Sequence, residues 1–146
     1  MTAWTKIVVT GATSGVGAAF ARRAPAGAAL LLTGRDAERL SALRDELAVD
    51  RAVETCVADL SQAGDRDRLI DAAQSFSPDL LINNAGFGVF GPALENAAES
   101  EAGMIETNAL APVVLARALA PGMLDRARAE GRRAGLIFVS SVVAFA

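Results

Sequence analysis

The sequence predicts an α/β fold: a doubly wound parallel sheet of about five strands with helices on both faces. Three observations predict it. Short apolar runs rich in Val, Ile and Leu alternate along the chain with longer stretches in helical register. Most of the runs lack polar–apolar alternation, which marks strands buried on both faces. Strands separated by helices need crossover connections, and these form right-handed βαβ units in a parallel sheet.

The elements follow in order. Residues 6–10 (KIVVT) read as the first strand and residues 15–24 as an alanine-rich helix. Residues 28–33 form a second strand, apolar except for Thr33. In residues 36–47, Leu40, Leu43 and Leu47 recur at three and four with charges between them, which gives a helix. Residues 52–57 are a third strand. Residues 62–76 carry Leu69, Ile70, Ala73 and Phe76 in helical register, and residues 79–82 are a fourth strand. A long loop containing Gly86, Gly88, Gly91 and Pro92 precedes a helix over residues 99–128, in which Pro112 marks a bend or Pro121-Gly122 a break. Residues 136–139 are the fifth strand. No linker or repeat divides the chain, so a single domain over residues 1–146 is expected, long enough to bury a core.

Composition narrows the function. The apolar share is 52%, the charged share 21% and the formal net charge −3, which argues against a nucleic-acid binder. One cysteine, Cys56, excludes an intrachain disulfide and points to a reducing, cytoplasmic setting. Residues 1–6 lack the pattern of a secretory signal. No window reaches the run of apolar residues that a membrane span requires, so no membrane partner is expected. The chain has no histidine, which removes imidazole acid–base chemistry and histidine metal sites.

The segment TGATSGVG, residues 10–17, lies between the first strand and the first helix. A strand, a glycine turn and a helix form the arrangement that binds a pyrophosphate, because the unpaired amides at the helix start favour an anion. Gly11 makes the tight turn, Gly15 lets a diphosphate approach, and Gly17 lets the helix lie close. Thr13 and Ser14 place hydroxyls in the turn. A mononucleotide P-loop needs Gly-Lys-Ser/Thr, whereas Gly17 is followed by Ala18. Purely structural glycines remain the alternative. The second strand ends in Gly34-Arg35. In a dinucleotide fold an arginine there accommodates a 2′-phosphate, which favours NADP over NAD. Asp36 either pairs with Arg35 or caps the following helix. Asp59 is open to a capping role as well.

Read together, Thr10-Gly11-x-x-x-Gly15-x-Gly17, Thr33-Gly34-Arg35, Asp59-Leu60, Asn83-Asn84-Ala85-Gly86, Asn108 and Ser140-Ser141 resemble the classical short-chain dehydrogenase/reductase family. The resemblance covers essentially the whole chain, in order. It implies a Rossmann-like sheet of order 3-2-1-4-5 and NADP(H)-dependent carbonyl–alcohol interconversion on a small-molecule substrate. It places Gly11, Thr13, Ser14, Gly15, Val16, Gly17 and Arg35 in the cofactor site. It gives Asp59 and the Leu60 backbone to the adenine, and Asn84, Ala85 and Gly86 to the adenosine ribose. Asn108 would hold the long helix open around a relay water, and Ser141 would bond the substrate oxygen.

The same resemblance exposes a gap. The family's acid is a tyrosine about a dozen residues beyond the serine, with a lysine four further on that lowers its pKa. The sequence has no tyrosine, its one lysine is Lys6, and it ends at Ala146. The chain is therefore expected to be truncated relative to the family, to lack the C-terminal strands and helices, and to be inactive alone. A non-catalytic dinucleotide-binding module or partner subunit is the alternative. The fifth strand becomes an edge with Leu136, Ile137, Phe138 and Val139 partly uncovered, and Val142-Val143-Ala144-Phe145-Ala146 lacks a helix to pack on. Such edges associate, so self-association is expected.

Overall fold

The computed structural model describes residues 4–13 and 15–140. Five parallel strands, β1 (Lys6–Val9), β2 (Ala29–Gly34), β3 (Val53–Val57), β4 (Leu80–Asn83) and β5 (Gly135–Phe138), form one sheet in the order β3-β2-β1-β4-β5. Helices α1 (Gly15–Arg22), α2 (Ala37–Leu47), α3 (Ala63–Phe76), α4 (Ala98–Ile105) and α5 (Ala111–Glu130) connect them. The fold is Rossmann-like, with the strand order the sequence predicts. Element ends differ from expectation by one or two residues, the usual scatter at fraying termini.

Strand alternation sends two apolar sets to opposite faces. Ile7, Val9, Leu30, Leu32, Leu80 and Ile82 pack against Ala18 and Ala21 of α1 and Leu40, Leu43 and Leu47 of α2. Val8, Leu31 and Leu81 pack against Leu69, Ala73 and Phe76 of α3 and Leu115, Leu119 and Met123 of α5. Both faces need apolar side chains, and for this reason β1, β2 and β4 show no polar alternation. β3 departs from that reading. It lies at the edge of the sheet and its residues are half-buried or exposed.

In the long helix the structure decides between the two expected prolines in favour of Pro112. The helix runs unbroken through Pro121, and its irregularity lies earlier, in a π turn over Glu106–Leu110 between α4 and α5. Pro112 supplies the reason. It has no N–H for the carbonyl of Asn108, four residues back, and its ring would clash with that carbonyl in a regular helix. A wider turn relieves both. Pro121 is exposed, so the carbonyl it leaves free meets solvent.

By length and composition alone, the run Ala98–Glu130 would pass for a membrane-crossing helix. Its apolar stripe Ala111, Leu115, Leu119 and Met123, spaced by four, is buried on the sheet, whereas Ile105, Leu110, Val113 and Leu124 of the same run are exposed.

Candidate functional site

Chain order reverses between β1 and its neighbour β4, which places a crevice at the carboxyl ends of these strands. A cleft of about 290 Å³ occupies this position. Its walls include Gly11, Thr13, Gly15, Val16, Arg35, Asp59, Leu60, Asn84, Ala85 and Gly86. The structure thus brings together, from four separate segments, ten of the residues singled out in the sequence. Ser14 and Ser141 lie outside the described residues.

The glycine turn is built for close approach. Gly11 has φ +66°, and a Cβ on it would come within 2.8 Å of the Ala85 Cα. Gly17 does not line the cleft. It lies beneath the turn, where a Cβ would come within 2.1 Å of the Gly11 carbonyl oxygen and 2.5 Å of Asn84 Nδ2. The third glycine therefore fits α1 against the turn and the β4 end, rather than against the sheet at large. Gly15, at φ +54°, has no atom within 4 Å of its Cβ position and faces open space. The first amides of a helix have no intrahelical acceptor, so the start of α1 beside this space suits an anion.

Asn84 and Thr10 weld the two halves of the site. Asn84 Nδ2 donates to the carbonyls of Thr10 at 3.0 Å and Gly11 at 3.2 Å. The Thr10 hydroxyl accepts from the amides of Asn84 at 2.9 Å and Ala85 at 3.0 Å, and donates to the Ile82 carbonyl at 3.4 Å. Thr10 is nearly fully buried. It is a structural partner whose only sequence signal is its place before Gly11.

On the adenosine side the structure decides between the alternatives for Asp36. Its Oδ1 accepts from the Arg39 amide at 3.0 Å and caps α2, and its Oδ2 lies 3.2 Å from Arg39 Nε. Arg35 is thereby left facing the cleft. Its guanidinium sits 4.0 Å from Asp59 Oδ2 and 5.5 Å from the centre of the Phe87 ring.

Asp59 is not the cap of α3, a position held by Gln62. Its Oδ1 accepts from the Ser61 amide at 3.0 Å and the Ser61 hydroxyl at 2.8 Å, a local turn that leaves Oδ2 toward Arg35. The Asp59 amide donates to Asp65 Oδ2 at 2.7 Å. That bond, with Arg68 beside it, holds the Asp65 carboxyl below its usual range. Buried Arg66 fixes the next residue. Its Nη1 donates to the Leu60 carbonyl at 2.8 Å and lies 2.8 Å from Glu106 Oε2 on the π turn.

Asn108 does not line the cleft. Its side chain is taken up by the backbone of Phe87, which does line it. Thr33, Gly34, Ala58, Phe87 and Thr107 are further wall residues that the sequence reading did not assign to the site. Thr33 and Gly34 stood inside the quoted motif, whereas Thr107 had no signal beyond its adjacency to Asn108. Burial pushes the Cys56 thiol up from its ordinary value, and it does not line the cleft.

The sequence model of the short chain dehydrogenase family matches residues 5–146. The chain belongs to this family. Among curated short chain dehydrogenases it is similar to the dehydrogenase/reductase SDR family member 7B of Bos taurus, at 40% identity over 122 residues, 76% of this chain and 37% of that protein. Among solved structures it is similar to a metagenomic short-chain oxidoreductase in complex with NADP, with a TM-score of 0.81 and 35% identity over 94% of this chain and 62% of the other. A short-chain dehydrogenase from Sphingobium yanoikuyae in complex with NADPH gives a TM-score of 0.77 and 37% identity over 97% and 56% of the two chains. The chain thus spans less than two thirds of the length of each of these relatives.

Proposed function

We propose that these residues form the cofactor half of an NADP(H)-dependent oxidoreductase that interconverts small carbonyl compounds and alcohols. The observation that carries the reading is the pairing of two features in one cleft. Open space lies above Gly15 at the start of α1, and Arg35 stands at the end of β2, where a 2′-phosphate would sit. The donor set fits the group: amides for the diphosphate, a guanidinium for the 2′-phosphate, and a carboxylate oxygen of Asp59 free of hydrogen bonds for the adenine amino group. Relatives solved with NADP and NADPH support the same cofactor. When bound, the nicotinamide supplies or accepts the hydride.

The roles of the chain's own residues follow. Thr13, Ser14 and Val16 border the diphosphate with Gly11 and Gly15, and Gly17 holds α1 beneath it. Asn84, Ala85 and Gly86 present backbone to the ribose. Asn108 fixes Phe87 at the cleft and stands on the π turn, whose freed carbonyl is suited to hold a water. Ser141 orients the substrate oxygen. A relative named sulfoacetaldehyde reductase 2, from Chromohalobacter salexigens, supports a small carbonyl compound as the substrate class. The free thiol of Cys56 accords with a cytoplasmic setting.

The proton for such a reaction has no donor here. The sequence has no tyrosine or histidine, and Lys6 opens β1 at the opposite end of the sheet from the cleft. These 146 residues therefore bind cofactor without turnover, which is also what a dinucleotide-binding module would do. The test is a pair of measurements on the purified chain. NADPH fluorescence should change saturably on titration, while absorbance at the reduced-nicotinamide band stays constant with small ketones and aldehydes. Absence of saturable binding would refute the cofactor site, and steady NADPH consumption would refute the missing proton donor.

A further inference from the structure

We propose that a hollow at the amino ends of the strands, opposite the cofactor cleft, binds a phosphate group, free or at the end of a small ester. Four cations, Lys6, Arg126, Arg132 and Arg133, and two carboxylates, Asp79 and Glu130, line it. Its volume is about 150 Å³, half the ~300 Å³ at which sites for whole small molecules begin. It suits one anionic group rather than a second dinucleotide.

The two carboxylates are already spent. Asp79 accepts from the Thr5 amide and hydroxyl, the Lys6 amide and Arg132 Nη2, about the full capacity of a carboxylate. Glu130 Oε2 lies 3.2 Å from Arg132 Nη1. Arg132 thus takes up both acids. The other three cations have only uncharged partners among the described residues. Lys6 Nζ donates to the Phe76 carbonyl at 3.0 Å, and Arg126 Nη2 to the Pro78 carbonyl at 2.7 Å. The Arg133 guanidinium lies 4.0 Å from the centre of the Trp4 ring. Binding these carbonyls at and after the end of α3 uses one N–H of Lys6 and one of Arg126, and leaves their other donors for a ligand. The three cations come from the start of β1, from α5 and from the connection between α5 and β5, so the fold gathers them. The chain as a whole carries a net charge of −3, so the excess of cations is local. A concave wall of one sign concentrates counter-ions, and guanidinium and ammonium donors match phosphate oxygens.

The chain's one tryptophan, Trp4, stacks on Arg133 and reports on the hollow. Inorganic phosphate and glycerol phosphate are each titrated into wild type at low, matched ionic strength, with sodium chloride as the control. Trp4 fluorescence should change saturably with at least one of the phosphates and not with chloride. Lys6→Gln and Arg126→Gln should each weaken that binding about tenfold. Arg35→Ala, altered at the other end of the sheet, should respond as wild type does. The proposal is overturned if neither phosphate saturates, if chloride gives the same change, or if either glutamine variant binds as wild type does. Loss of the response in Arg35→Ala would also overturn it, because the anion would then sit in the cofactor cleft. Lys6 is exposed and its side chain makes one hydrogen bond, so Lys6→Gln decides alone should Arg126→Gln not fold.

Discussion

Asn108 Nδ2 donates to the Phe87 carbonyl at 2.8 Å, and Asn108 Oδ1 accepts from the Phe87 amide at 3.0 Å. One side chain on the π turn thus satisfies both backbone groups of a residue in the loop after β4. Phe87 lines the cleft and lies under Arg35, so the clamp links the long helix to the adenosine side of the site. Asn108→Ala removes both bonds. Because the pair is exposed, the expected loss is about 1–2 kcal/mol, read as a lowered midpoint in urea. NADPH affinity should fall with it. Asn108→Asp keeps the acceptor and loses the donor, and should fall between the two. Wild-type stability in Asn108→Ala would show that the clamp carries no load.

Arg66 makes a second such link, and a more buried one. Its guanidinium joins α3, the Leu60 carbonyl and Glu106. Arg66→Met leaves that carbonyl unpaired and Glu106 without its cation, and should cost about 2–3 kcal/mol. Adding Glu106→Gln should recover part of the loss, because the orphaned charge goes with it. Urea denaturation of the single and double variants measures the coupling. Additive losses would mean that the two groups act independently.

Arg35 is placed to choose the cofactor. Asp36 is occupied as the cap of α2, so the guanidinium is held only loosely, by Asp59 at 4.0 Å and by the Phe87 ring. Arg35→Ala should weaken NADPH by about 10- to 100-fold, the worth of a charge-assisted contact to phosphate, and change NADH by less than about threefold. Equal losses in parallel calorimetric titrations would show that Arg35 does not read the 2′-phosphate.

At the far edge of the sheet, β5 pairs only with β4 among the described residues. Phe138 is 55% exposed, and Leu136, Ile137 and Val139 are also open. An uncovered apolar edge strand is a template for pairing. Sedimentation at rising concentration should show self-association of the 146-residue chain. Phe138→Lys should shift the equilibrium toward monomer by placing a charge on the edge. A wild-type chain that stays monomeric at high concentration would contradict this.

The sequence carried the sheet and the cofactor turn well because both depend on local chemistry. Unalternating runs such as Leu30-Leu31-Leu32 have no stable place except between two helical layers. The glycines at 11, 15 and 17 answer to positive φ and to sub-van-der-Waals approach at fixed points. What the sequence hid was long-range. Nothing local to Asn108 says that its amide will meet Phe87, 21 residues away. Asp59 looked like a helix cap because it precedes α3, yet Ser61 captures it first. The π turn lies just before Pro112 because a proline acts on the carbonyl four residues before it, at Asn108, rather than at its own position. Ser14 and Ser141 lie outside the described residues, so their placement adds nothing to the reading of the turn or of the substrate side.

The central claim is that the start of α1 and the end of β2 together hold one NADP(H) molecule, and a crystal of this chain soaked in NADPH tests it most directly. The account predicts difference density for a diphosphate over the amides at Gly15 and Val16, with the 2′-phosphate against Arg35. A well-ordered crystal with density elsewhere, or with none in the cleft at saturating NADPH, would contradict it.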